Sequence, residues 1–310
     1  MKETIRIGYL GPEESTNGYV AATRYFNTPA IKEHFTVVYA PHSTHEEIVE
    51  SVAKKHLEYG VVAVENVING VVVETVRSIE RHAGLGINVC GEVGLPVELA
   101  LMSKHTLLSE IQVVVSHPVG LSQCKENLRK LFSGGVVLQA AQSTGEAAKQ
   151  AAENQDGCAA LALPLAAEKY GLNILQSNLA DFPNSITRFW VLHNKRGLEL
   201  NTSNVKTCIL VNIDRERTGA LYEAIGYFSR NDIGIAMLYP CPIPNRPWEY
   251  TFVIELWGSI YDDSFYSSYV ELRDSGVTLA SPIVLGSYPD TSARHSNVEI
   301  RDNAISRGKT

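Results

Sequence analysis

Cysteine is scarce and unpatterned in this 310-residue chain: Cys90, Cys124, Cys158, Cys208 and Cys241 are odd in number and form no Cys-x-x-Cys pair. That speaks against a disulfide framework and predicts reduced, mostly buried thiols. Long apolar runs are missing as well; none approaches the ~18 residues that suggest a membrane helix. The start, Met1-Lys-Glu-Thr-Ile-Arg-Ile, lacks the apolar centre of a signal peptide, so a cytoplasmic location is expected. Positive charge is not in excess: the formal net charge is −7, with no basic stripe, which argues against nucleic acid as a partner. The same sign means that an anionic ligand must be met by local donors, because the overall field repels it. No Gly-x-Gly-x-x-Gly follows the first strand and no Walker sequence occurs, so nucleotide binding has no support. His42-Ser-Thr-His45 is too sparse for a metal site, and no metal is expected.

What is present is an ordinary globular composition, 45% apolar and 20% charged, in a chain long enough for two or three domains. Strand-like runs at Ile5–Leu10, Thr36–Ala40, Val61–Val64, Ile111–Val115, Val136–Ala140 and Cys158–Leu163 alternate with helical patterns. Thr44-His-Glu-Glu47 and Ser143-Thr-Gly-Glu146 fit capping boxes that open two of these helices. The alternation predicts βαβ units and largely parallel sheets. Residues 196–204 are polar and aperiodic, a linker. Beyond them, Lys206–Ile213, Gly219–Arg230, Ile233–Leu238, Tyr250–Trp257, Asp262–Arg273 and Val277–Gly286 read as strand-helix-strand-strand-helix-strand, a ferredoxin-like α+β domain. Residues 291–310 form a polar tail.

The run Asn184-Ser-Ile-Thr-Arg-Phe-Trp-Val-Leu192 sets a hydroxyl, Thr187, beside a fixed cation, Arg188, at the start of a strand. Such a pair suits a small polyanion that must lose an oxygen: arginine grips a carboxylate in two parallel hydrogen bonds, and threonine donates to a departing hydroxyl.

This run, with Tyr9-Leu-Gly-Pro-Glu13, Val64-Glu-Asn-Val-Ile-Asn-Gly-Val71, His117-Pro-Val-Gly-Leu-Ser-Gln-Cys124, Ser143-Thr144, Tyr170-Gly-Leu172, Gly219-Ala-Leu-Tyr222 and Trp248-Glu-Tyr250, resembles the prephenate dehydratase family in content and order. The resemblance spans about residues 5–290. It implies two α/β subdomains like those of type II periplasmic binding proteins, about residues 1–85 plus 178–195 and about 86–177, with substrate in the cleft between them. A regulatory ACT domain follows over residues 205–290. The implied activity is that of a lyase without metal or organic cofactor, converting prephenate to phenylpyruvate in phenylalanine biosynthesis. Arogenate as substrate, decarboxylation of prephenate alone, or a non-catalytic amino-acid sensor are the alternatives. The first strand begins near Ile5, so no amino-terminal chorismate mutase domain is expected.

Prephenate carries two carboxylates and a ring hydroxyl, so the site needs two anion anchors and a donor at the leaving oxygen. In the terms of the resemblance, Thr187 is the catalytic donor. Arg188 holds one carboxylate, and Ser143 and Thr144, at a helix start, hold the other. Asn66 contacts substrate, Glu65 orients neighbours, and Ser15 and Asn184 shape the site. In the ACT domain Gly219, Ala220, Leu221 and Tyr239 are expected around a phenylalanine effector, and a homodimer or homotetramer is expected. The chain departs from the family at Glu14, where a glycine is usual, at Val67 and Val71, where small hydroxyl residues are usual, and at Tyr239-Pro-Cys-Pro242, which replaces Glu-Ser-Arg-Pro.

Overall fold

The structure, a computed structural model, describes residues 2–11, 16–153, 157–182, 184–194 and 204–291. The first stretch runs β1 (Glu3–Leu10), α1 (Asn17–Phe26), α2 (Pro29–His34), β2 (Phe35–His42), α3 (His45–Ala53), β3 (Tyr59–Asn66), β4 (Gly70–Val71), α4 (Val73–His82) and β5 (Asn88–Pro96). The second runs β6 (Ala100–Ser103), β7 (Val113–Ser116), α5 (Pro118–Gln123), α6 (Lys125–Leu131), β8 (Val137–Ala140), α7 (Thr144–Glu153), β9 (Cys158–Ala162), α8 (Pro164–Tyr170) and β10 (Asn173–Gln176). Then β11 (Ile186–His193) returns to the first sheet. The last stretch is β12 (Val205–Asn212), α9 (Ala220–Ser229), β13 (Ile235–Pro242), β14 (Tyr250–Trp257), α10 (Asp263–Asp274) and β15 (Ile283–Pro289).

Both hydroxyls cap their helices as the residue spacing predicts, but the carboxylates depart from a capping box: Glu47 takes the N–H of Ser43 instead of Thr44, and Glu146 takes Gln150 Nε2. The Thr44 hydroxyl accepts from Glu47 N at 3.1 Å, while the Glu47 carboxylate reaches back to Ser43 N at 2.9 Å. Ser143 Oγ accepts from Glu146 N at 3.0 Å and so caps α7. All five cysteines are buried, and none of them is in a disulfide.

Three sheets result. The first has the order β2-β1-β3-β11-β5, with the short β4 on β3; the second has the order β10-β6-β9-β7-β8. The chain crosses between them after β5 and again after β10. Since β5 belongs to the first sheet, the first crossing lies near residues 97–99, not near 85. The sheets are mixed, not largely parallel. β1–β2, β1–β3, β7–β8 and β7–β9 are parallel, but β11 runs antiparallel to both β3 and β5, and β6 antiparallel to β9. A strand that returns from the other subdomain enters from the opposite end, and alternation of elements cannot reveal that.

The third sheet has the order β13-β14-β12-β15, all antiparallel, which is the ferredoxin-like arrangement. Its fourth strand starts at Ile283, six residues later than the sequence pattern suggests. One face packs Ile209, Val211, Ile254 and Leu256 on Ala220, Ala224 and Phe228 of α9 and Phe265 and Leu272 of α10. The other face, through Cys208, Leu210, Cys241, Val253, Leu285 and Tyr288, shares a core with Val62, Val64, Trp190 and Leu192 of the first sheet and with α3 and α4. The first sheet is therefore covered by α1 and α2 on one side and by the third sheet on the other. Contact is close at Gly286, where φ is +145° and a Cβ would lie 2.3 Å from the Val89 carbonyl oxygen. Only glycine permits β15 to approach β5 that closely. Among the described residues no helix is long and apolar enough to cross a membrane.

Candidate active site

β11 sits between β3 and β5, and its side chains alternate between two environments. Phe189 and Val191 join the core under α1, while Trp190 and Leu192 face the third sheet. Thr187 and Arg188, adjacent in sequence, therefore point to opposite sides.

Thr187 pairs across the strands with Asn66, and Asn66 Nδ2 donates to Thr187 Oγ1 at 2.9 Å. The amide orientation is fixed by its other end, where Oδ1 accepts from the backbone N–H groups of Ile68 and Asn69 at 3.0 and 3.1 Å. With Asn66 supplying a proton to the threonine oxygen, the threonine's own O–H is left to donate elsewhere. Thr187 is half-buried at the end of the strand, next to the crossing into the second subdomain.

A register shift makes this pairing possible. Arg188 lies opposite Glu65 and Phe189 opposite Ala63, so Val64 is an extra residue on β3. Val64 and Glu65 both turn toward the third sheet, and Asn66 turns to the side of Thr187. A bulge that re-aims one side chain is a recurrent device next to functional sites.

Arg188 is not where a substrate anchor would be. Its Nε and one terminal nitrogen bind Glu65 at 3.1 and 2.9 Å, and the other terminal nitrogen binds Glu92 at 3.1 Å and both Glu255 oxygens at 2.7 Å. The Met237 sulfur takes a further contact at 3.1 Å. Burial opposes the charge, but Glu255, Tyr288, Glu92 and Glu65 more than offset it and raise the guanidinium pKa above its ordinary value. With three carboxylates in place its donors are committed, so the expectation that Arg188 grips a substrate carboxylate is corrected. Glu65 acts on Arg188, and both Glu92 and Glu255 are 1% exposed at the side chain. Lys206 joins the cluster by bridging Glu92 and Asp290 at 2.8 and 3.0 Å. Tyr288 and Trp190 donate to Glu255.

In the second subdomain Ser143 and Thr144 stand at the start of the ten-residue α7. Thr144 lies close to Gly120 of α5, where a Cβ would meet Ser116 Oγ at 2.8 Å and Thr144 Cγ2 at 3.8 Å. The segment His117-Pro-Val-Gly120 thus brings the starts of α5 and α7 together. His117 caps its own helix, with Nδ1 accepting from Val119 N at 3.3 Å. Asn184 is exposed on the second crossing. Ser15, with Glu13 and Glu14, lies outside the described residues. Val67 is exposed in the turn after Asn66.

A sequence model of the family described as prephenate dehydratase matches residues 7–197. The chain belongs to the prephenate dehydratase family. The bifunctional chorismate mutase/prephenate dehydratase of Aquifex aeolicus is 32% identical over 289 residues, which is 93% of this chain and 75% of that protein. Arogenate dehydratase/prephenate dehydratase 2, chloroplastic, of Arabidopsis thaliana is 28% identical over 296 residues, 92% of this chain and 73% of that one. The crystal structure of prephenate dehydratase in complex with L-Phe from Arthrobacter aurescens superposes with a TM-score of 0.78 at 23% identity, covering 94% of each chain, and so shares the fold.

In this family member Gly219, Ala220 and Leu221, together with Asp214, Arg217, Tyr222, Trp248 and Phe252, line an open cavity of about 400 Å³ at the start of α9. Tyr239, expected with them, packs against the core shared with the first sheet, because β13 turns that residue toward the catalytic region. Sequence reading missed Glu92, Lys206 and Glu255. Each is a charge set inside an apolar strand, at positions 92, 206 and 255, and a charge in a buried strand calls for a partner.

Proposed function

We propose that the protein is a lyase that converts prephenate to phenylpyruvate. The observation that carries this reading is the Thr187 hydroxyl, held by Asn66 so that its proton is directed away from the amide. In the reaction the ring carboxylate leaves as carbon dioxide. The electrons of the broken C–C bond enter the ring, and the ring hydroxyl departs with its bonding pair as hydroxide, which takes a proton from solvent to become water and leaves an aromatic product. Aromatisation drives the step, so the site need only hold the dianion and stabilise the leaving oxygen. Thr187 donates a hydrogen bond to that oxygen, a contribution of roughly 10²–10⁴-fold for a positioned donor.

With Arg188 engaged, the anion anchor falls to the second subdomain. The start of α7 offers free backbone N–H groups and a dipole of the right sign, with Ser143 and Thr144 as hydroxyl donors. Asn66 acts through Thr187, and Asn184 lines the crossing beside the cleft. Ser15 is assigned to the site on the family resemblance alone. Val67, a valine where the family has a hydroxyl, favours a second reading in which arogenate is the preferred substrate.

The carboxy-terminal domain is proposed to be an ACT domain whose cavity at Gly219, Ala220 and Leu221 takes phenylalanine, within a homodimer or homotetramer. The test of the catalytic reading is to incubate purified protein with prephenate or arogenate and follow phenylpyruvate and phenylalanine. Phenylpyruvate from prephenate is expected. Phenylalanine from arogenate alone would favour the second reading, and no turnover of either would leave a non-catalytic sensor.

A further inference from the structure

We propose that Glu255, on the carboxy-terminal sheet, is a positioning residue for Thr187. It acts through Arg188, so the catalytic site is complete only when that sheet is docked. The inference rests on the function proposed above and goes beyond it by naming a coupling between two domains.

Four observations converge. First, the bulge at Val64 and Glu65 is what turns Asn66 toward Thr187, and the guanidinium of Arg188 lies directly on it, bound to Glu65 through two nitrogens. Secondly, Arg188 is covalently next to Thr187, so a shift of one moves the other. Thirdly, Glu255 belongs to β14 of the third sheet yet makes the shortest contacts to Arg188, with both oxygens 2.7 Å from its Nη1. Fourthly, Glu255 is itself fixed, accepting hydrogen bonds from Trp190 of β11 and Tyr288 of β15. The carboxylate thus belongs to one domain and its cation to the other, and the pair is desolvated. Desolvated pairs hold geometry tightly, because separating them leaves a buried charge uncompensated.

Glu65 and Glu92, both from the first sheet, hold Arg188 whether or not the third sheet is docked. Among the described residues Glu255 is the one carboxylate of the third sheet that binds the guanidinium, beside the weaker Met237 sulfur contact. Loss of its charge lets Arg188 settle toward Glu65, relaxing the bulge and turning Asn66 from its bond to Thr187. A misplacement of about 1 Å at a reacting group costs on the order of 100-fold in rate. Because the substrate anions are held in the other subdomain, the effect falls on kcat and not on KM.

The test measures kcat and KM for wild type, Glu255→Gln and, as a surface control, Glu271→Gln on whichever cyclohexadienyl acid the wild type turns over. Glu255→Gln keeps the size and an acceptor for Tyr288 but removes the charge. The expected result is a fall in kcat of roughly 10–100-fold with KM close to wild type, in protein that is still folded at the assay temperature though its melting point is lowered. Partial recovery is expected in Glu255→Asp, and no change in Glu271→Gln. A wild-type kcat in folded Glu255→Gln overturns the inference and leaves the proposed function standing. So does a fall in kcat that merely tracks loss of folded protein, read by circular dichroism, with no recovery in Glu255→Asp. Wild-type protein without turnover of either acid would overturn the function and the inference together.

Discussion

Thr187→Val is expected to lower turnover by on the order of 10²–10⁴-fold while leaving the fold intact. Valine has the shape of threonine without the hydroxyl, so the strand pairing of β11 with β3 and β5 is kept. What is lost is the donor aimed at the leaving oxygen and the acceptor for Asn66 Nδ2. The unpaired amide costs about 1–3 kcal/mol if it stays buried, too little to unfold a chain with three packed sheets. Thr187→Ser keeps the hydroxyl with more rotational freedom and should retain part of the rate. Steady-state kinetics and a thermal melt, taken together, check both halves of the expectation. Wild-type kcat in Thr187→Val would remove threonine from the chemistry.

Arg188→Met is expected to act first on stability. The substitution fills similar space but leaves Glu255 and Glu65 without their cation and Glu92 with Lys206 alone. Removing one partner of a buried ion pair costs about 3–5 kcal/mol, because the remaining charge is desolvated and uncompensated. The loss should appear in denaturant unfolding, and adding Glu255→Gln to Arg188→Met should recover part of it, since one of the stranded charges is then gone. A carboxylate anchor would behave otherwise: its loss would raise KM and leave stability nearly unchanged. That second pattern would restore Arg188 to the substrate.

Much of the fold could be read from residues, for physical reasons that are local. Thr44 and Ser143 announce helix starts because a short hydroxyl side chain satisfies an orphan N–H three residues on. Runs such as Cys158–Ala162 are strands buried on both faces, and β-strand length with turn residues on either side marks them. The ferredoxin-like order follows from six alternating patterns in 80 residues. By contrast β5 was missed, as Asn88–Pro96 carries glycines and a glutamate that look like loop. Glu92 is there because Arg188 and Lys206 arrive from elsewhere in the chain; a charge in a buried strand calls for a partner, but its sequence neighbours do not say which.

Of the candidate site, the sequence names some residues that the structure brings together but not the directions in which they point. Thr187 reads as a donor to the leaving oxygen and Asn66 as a substrate contact, and the structure joins the two to each other by a hydrogen bond. Arg188 and Glu65 were identified too, yet both face away from Thr187. Strand periodicity would have placed Glu65 opposite in direction to Val64. The bulge sets them on the same side, and a bulge is a feature of pairing that one strand's sequence does not encode. Tyr239 was misplaced for the same kind of reason, since which face of β13 meets the first sheet depends on docking.

The kcat of Asn66→Asp at saturating substrate tests most directly whether the orientation of the Thr187 proton governs the reaction. Aspartate keeps the size of asparagine, and one oxygen can still accept from Ile68 and Asn69. Its other oxygen can only accept, so it would draw the threonine proton toward itself and away from the leaving group. A fall of roughly 100-fold or more in kcat, with the fold retained, is the expected result. A kcat equal to wild type would contradict the assignment of Thr187 as the donor to the departing hydroxyl.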